Sequence, residues 1–223
     1  DVHVTIPAKI NGYTVTTLGN EIFKDNIFLE SITLPNTLIR VRAEAFSGCI
    51  KLSSIQIPDS TEEIDDSAFS GCISLESIYI PESVAVIGDT AFENCVSLKE
   101  AHLPESLQNL GIAVFKNCSS LTSTTIPKSI VMIRRETFTG CRSLESIQFP
   151  ETLVSIGRNA MSNCEKLESV DLPASLEYIG PSAFLNCSNL ADIALPESLK
   201  HIGSYAFDSC IQLASITIPS RIT

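Results

Sequence analysis

The sequence predicts an α/β repeat protein, a solenoid of about nine coils of 23 residues, and three columns of residues predict it. Cysteine recurs every 23 residues at Cys49, Cys72, Cys95, Cys118, Cys141, Cys164, Cys187 and Cys210. Proline keeps the same step from Pro35 to Pro219, and an aromatic column runs through Phe46, Phe69, Phe92, Phe115 and Phe138, then Met161, Phe184 and Phe207. A repeat of this length cannot bury its own apolar face, so it must stack on its neighbours. The expected architecture is a parallel sheet on the concave face, with short extended and 3-10 or helical segments on the convex side.

Within one repeat the elements follow in order. In residues 75–81, LESIYIP, Ile78 and Ile80 alternate with Ser77 and Tyr79, as a half-buried strand requires. Pro81 has no N–H for the ladder and marks where the chain leaves the sheet. In residues 82–88, ESVAVIG, Val84 and Ile87 point inward, which predicts a short extended segment on the opposite side. In residues 89–95, DTAFENC, Ala91, Phe92 and Cys95 have one-turn spacing, which predicts a single helical or 3-10 turn. The residue before each cysteine is Gly48, Gly71, Asn94, Asn117, Gly140, Asn163, Asn186 or Ser209. Gly and Asn tolerate positive φ most readily, so this column is expected to end the turn in a left-handed conformation.

The consensus LxSIxIPxSLxxIGxxAFxxCxxL is readable in LESVDLPASLEYIGPSAFLNCSNL, residues 167–190. It resembles the BspA-like class of leucine-rich repeats, over essentially the whole chain. The opening VTIPAKINGYTVTTLGNEIF resembles that family's first repeat, with a five-residue insertion around Asn11 and Gly12. The chain therefore divides into an N-terminal variant repeat, 1–29, and regular repeats, 30–223, of one domain whose last repeat stops partway, as in a portion of a longer protein. The resemblance, with the chirality rule for parallel connections, implies a right-handed solenoid. It also implies a cell-surface or extracellular location and a role in adhesion or in binding host or matrix proteins.

Composition excludes other classes. The net charge of −11 argues against binding a phosphate backbone, and no apolar run approaches the length of a membrane span. The three histidines, His3, His102 and His201, belong to different columns, and no phosphate loop, HExxH or EF-hand pattern occurs. The segment is read as non-enzymatic, with no catalytic residues, metal or cofactor. For the cysteines, a column of reduced buried thiols is the leading reading. Disulfides between coils would need side chains projecting in parallel to converge, and zinc would lack a CxxC pair or a histidine beside each thiol.

What is left for function is the outward strand positions. One column reads Thr33, Gln56, Tyr79, His102, Thr125, Gln148, Asp171, Ala194 and Thr217; beside it serine dominates, with Glu100 and Asp192 as exceptions. Small polar residues solubilise a sheet face without binding anything. Tyr79 and His102 break that run in adjacent coils and are the expected anchors for a protein or glycoprotein ligand. Gln56, Gln148 and Asp171 are the expected polar contacts, with Glu100 tuning the histidine. The alternative is a structural spacer in a larger surface protein, with no ligand of its own.

Four further features complete the reading. Ala101 and Thr124 stand in an inward column where Ile or Val is usual, while Val114 and Thr137 replace a customary alanine, so volume lost in one place is expected to be restored nearby. Arg134, Arg135, Arg142, Arg158 and Lys166 form a basic outer patch, read as a solvated face that an acidic partner could use. The Asn-Cys-Ser sequons at Asn117 and Asn186 read as by-products of the repeat. Open strand edges at both ends predict end-to-end self-association.

Overall fold

The computed structural model describes residues 2–222. Regular coils are numbered one to eight by their cysteines, Cys49 to Cys210. The coils contribute short strands to two parallel ladders whose partners are one repeat apart, except that coil two adds none to the first ladder. In the first sheet, Ser77–Tyr79, Glu100–His102, Ser123–Thr125 and Ser146–Gln148 lie side by side, with Tyr79 opposite His102. Along the second sheet run Thr17–Leu18, Arg40–Val41, Glu63–Ile64, Val86–Ile87 and Asn109–Leu110, then Met132–Ile133, Ser155–Ile156, Tyr178–Ile179 and His201–Ile202. The second ladder answers to the extended segment expected around Val84 and Ile87.

Two expectations need correction. The right-handed solenoid makes about eight turns and not nine, because residues 215–217, counted as a ninth strand, form none. The expected helical turn is also absent: among the described residues there is no helix of any kind. The reason lies in the backbone. Positive φ recurs just before each cysteine, as at Asn94 (φ 61°), and again four residues earlier, as at Thr90 (φ 56°). The N–H groups of Thr90, Phe92 and Asn94 donate forward to Ile112, Val114 and Lys116 of the next coil, at 2.7, 2.9 and 2.8 Å. A helix would direct those donors back along its own chain; here the neighbouring coil captures them.

The N-terminal insertion is an antiparallel hairpin, Lys9–Ile10 with Tyr13–Thr14. Its turn residues, Asn11 and Gly12, have φ of 51° and 84°, as a two-residue primed turn requires.

Stacked side chains fill the interior. Phenylalanine rings from Phe23 to Phe138 lie nearly parallel, with centroids 5.2 to 5.6 Å apart. Each buried ring contributes about 1.5–3 kcal/mol by burial. All eight cysteines are free and buried. Their thiols donate to the carbonyl of the aromatic-column residue one coil back, for example Cys118 Sγ to Phe92 O at 3.1 Å and Cys187 Sγ to Met161 O at 3.2 Å. Ser60, Ser83, Ser106, Ser129, Ser175 and Ser198 do the same with their hydroxyls toward Leu38, Thr61, Val84, Leu107, Leu153 and Leu176. Side chains thereby cross-link the coils in addition to the backbone ladders.

Both ladders loosen between coils four and five, and the first also parts between coils six and seven, where Ser146–Gln148 and Ser169–Val170 do not pair. In the first sheet, Glu100–His102 and Ser123–Thr125 share one register pair, Glu100 with Ser123, where the neighbouring strands share three. In the second sheet, Asn109–Leu110 and Met132–Ile133 do not pair at all. Elsewhere Gly111 N donates to Ile87 O and Gly157 N to Ile133 O, but among the described residues Val131, Met132 and Arg134 make no such bond to coil four.

Arg134 stands at the opening. It occupies a column held by Gly88, Gly111, Gly157, Gly180 and Gly203 in other coils. A Cβ built on Gly111 would lie 2.5 Å from the backbone of Gly88, a distance real atoms do not reach. Arg42 and Asp65 also carry a Cβ in this column, and there Asp65 N still donates to Val41 O at 2.9 Å; Arg134 differs in following two glycine coils. The volume exchange expected among Ala101, Thr124, Val114 and Thr137 falls at this same seam. All four side chains are buried there, and the ladder is not preserved.

Candidate functional site

The strand alternation buries Ile78 and Ala101 and turns their neighbours Tyr79 and His102 outward. Parallel register then sets the two rings face to face, with centroids 5.9 Å apart and planes 5° from parallel. Tyr79 is 58% exposed. The pair is therefore an exposed stack on the open face of the first sheet.

His102 also lines a cleft of about 460 Å3 at the loosened seam, together with Glu100, Gln148, Ser123, Thr125 and the carboxylates Glu82 and Glu105. The small Ala101 and Thr124 form part of its floor. Gln148 is held by the Thr125 hydroxyl, which donates to Gln148 Oε1 at 3.2 Å. On the flank of the same face, Lys99 Nζ sits 2.9 Å from Glu76 Oε2, and this ion pair lowers the Glu76 carboxyl below its usual range. The rim is thus acidic, with polar donors and acceptors and one aromatic stack.

The structure brings together part of the expected set. Tyr79, His102, Glu100 and Gln148 share one region. Gln56 lines a separate cleft of about 350 Å3, bounded by Thr33, Asn36 and Asp59, where residues 53–57 form no strand. Asp171 is exposed one coil beyond Gln148 and lines neither cleft. Among the described residues no hydrogen bond joins Glu100 to His102, so any influence of that carboxylate on the ring acts through space. Among the same residues, no group of three or more His, Cys, Asp or Glu could hold a metal ion, and no helix is long and apolar enough to cross a membrane.

A second aromatic pair was not anticipated. Tyr178 and His201 stack on the second sheet with centroids 4.9 Å apart and planes 10° from parallel. Their one-repeat separation is the same signal that marked Tyr79 and His102. It lies in the outward column of the second ladder, not of the first.

Comparison with known proteins agrees with this geometry. The BspA type leucine rich repeat region matches residues 16–136 and 110–223, in six copies. Among solved structures, a leucine-rich repeat protein of T. pallidum is 29% identical, with a TM-score of 0.70 over 86% of this chain and 78% of that one. Another, from Eubacterium ventriosum, is 18% identical with a TM-score of 0.52, covers 100% of this chain and 80% of that one, and shares the fold alone. None of the curated proteins matches the chain. With the repeat matched along nearly its whole length and the solenoid geometry in place, the chain belongs to the BspA-type leucine-rich repeat family.

Proposed function

We propose that residues 1–223 act as one non-enzymatic repeat domain, displayed on or outside a cell, that binds a protein or glycoprotein ligand through the concave first sheet. The observation that carries this reading is the exposed Tyr79–His102 stack beside the cleft at the coil four to five seam. Stacked rings fixed by neighbouring strands offer apolar area with little side-chain entropy left to lose on binding. Glu82, Glu100 and Glu105 around the cleft favour a ligand that presents basic or amide-rich side chains. Gln148 supplies a donor and an acceptor inside the cleft, while Gln56 and Asp171 extend the same outward column toward either end.

The test is binding of the domain to a panel of immobilised extracellular matrix proteins, beside a Tyr79→Ala/His102→Ala variant. Saturable binding that weakens about 30-fold in the variant is expected for a central anchor pair. Binding that survives the double substitution would move the site off the first sheet. Absence of binding to every panel member would favour a spacer role for these repeats.

A further inference from the structure

The basic residues noted in the sequence separate into two groups in the structure. Arg142 pairs with Glu165 at 3.5 Å and Lys166 with Glu145 at 3.7 Å, so these two are neutralised locally. Arg134, Arg135 and Arg158 are exposed and, among the described residues, make no ion pair or side-chain hydrogen bond. They stand together: Arg135 and Arg158 share one column in adjacent coils, and the N–H beside Arg135, on Glu136, donates to the Arg158 carbonyl at 2.9 Å. Two like charges at coil spacing, with no carboxylate between them, repel each other.

None of the three has a structural task. In coils two and three the column of Arg135 and Arg158 is held by Asp66 and Asp89, whose carboxylates accept N–H donors of the next coil, Asp89 N and Ile112 N, at 2.7 Å each. A guanidinium cannot accept a hydrogen bond, so the arginines cannot replace that function. Arg134 stands at the unpaired register of the second ladder. A residue that breaks the local pattern without structural return marks a place where function is to be sought.

Outward positions beside the opening carry apolar side chains. Val131, Met132 and Val154 are 52%, 51% and 40% exposed beside the arginines. A cleft of about 240 Å3, lined by Val131, Met132 and Arg134 among others, lies at the unpaired edge. We propose that this part of the second sheet, in coils five and six, is a docking surface for an acidic protein segment that also carries apolar side chains. Charge complementarity selects the acid: on a chain of net charge −11, three unneutralised guanidiniums form a local positive field. Their planar forks suit carboxylates, and the side chains are long enough to splay from a coil spacing of about 4.8 Å to carboxylates on alternate residues of an extended segment, about 6.8 Å apart. The exposed valines and methionine favour a peptide over a purely ionic polymer. No residue is shared with the first-sheet site, so failure of either reading leaves the other standing.

Fluorescence anisotropy of a labelled peptide in which Glu pairs alternate with Leu pairs tests the proposal, with poly-Glu of the same length and heparin as comparators. The Glu-Leu peptide is expected to bind about tenfold tighter than poly-Glu, and to lose about tenfold or more on Arg135→Glu/Arg158→Glu. The neutral Arg135→Gln/Arg158→Gln variant, with its melting temperature checked against the parent, guards against loss through misfolding and is expected to weaken binding in the same direction. Met132→Ser/Val154→Ser should weaken the Glu-Leu peptide and leave poly-Glu unchanged. No binding of the Glu-Leu peptide, binding indifferent to both arginine variants, or tight heparin binding insensitive to Met132→Ser/Val154→Ser would overturn the proposal.

Discussion

Replacing Arg134 with glycine should stabilise this protein, although glycine in an extended segment normally weakens it by about 0.5–1 kcal/mol relative to alanine. The expectation rests on the interrupted ladder. One coil further on, Val154 N donates to Val131 O at 2.8 Å and Gly157 N to Ile133 O at 2.8 Å; the equivalent bonds from coil five to coil four are missing among the described residues. Removing the Arg134 Cβ lets coil five approach as the glycine coils do. Two restored bonds at about 0.5–1.5 kcal/mol each, less the glycine penalty, leave a net gain of about 1 kcal/mol. In a chain of this size that is a rise of about 2–4 °C in Tm. Arg134→Ala keeps the Cβ and should stay within about 0.5 kcal/mol of the parent. Thermal unfolding of the three proteins, with hydrogen exchange at residues 131–134, provides the assay. Glycine less stable than alanine, or exchange at these amides as fast as in the parent, would refute the steric account of the seam.

Two further predictions follow from the turn and the core. Asn163 holds a φ of 61°; Asn163→Ala should destabilise the protein by about 1–2 kcal/mol and Asn163→Gly by much less, a difference readable in urea unfolding. Burial pushes the Cys49 thiol up to about 11 and also raises Cys72, Cys95, Cys118 and Cys141 well above the usual thiol range. Their folded pKa values lie above the unfolded ones, so their contribution to stability is complete below about pH 8.5 and is lost as pH rises toward the folded values. Each thiol should add a slope of up to about 1.4 kcal/mol per pH unit in that window. Cys118→Ala should flatten the alkaline slope measured by urea titration at pH 8 to 10.5; an unchanged slope would show that this thiol ionises equally in both states.

The comparison of sequence and structure is instructive at particular residues. The left-handed turn residues were legible because Gly48, Gly71 and Gly140 alternate with Asn94, Asn117 and Asn163, all with positive φ. The second left-handed column was not: Glu44, Ser67, Thr90, Ala113 and Tyr205 share no preference for that conformation. Glu44, Ser67, Thr90 and Ala113 donate their N–H groups to the next coil, a stabilisation that one repeat in isolation does not possess; Tyr205 holds the same conformation without such a bond among the described residues. Tyr79 and His102 could be paired from their separation, since parallel register in a solenoid converts one period into one strand step. Their relation to the cleft could not, because it depends on the seam opened one coil away.

The amino-acid sequence by itself determined the repeat, the inward and outward columns, the strand exits at proline and the buried fate of the cysteines. Each follows from a periodic pattern in which a residue's environment is set by its place in the coil. Only the tertiary structure decided that the turns are not helical, that the ladder parts between coils four and five, and which basic residues are left unneutralised. Those outcomes depend on how closely adjacent backbones approach. At Arg134 the ladder bonds are lost while the period is kept.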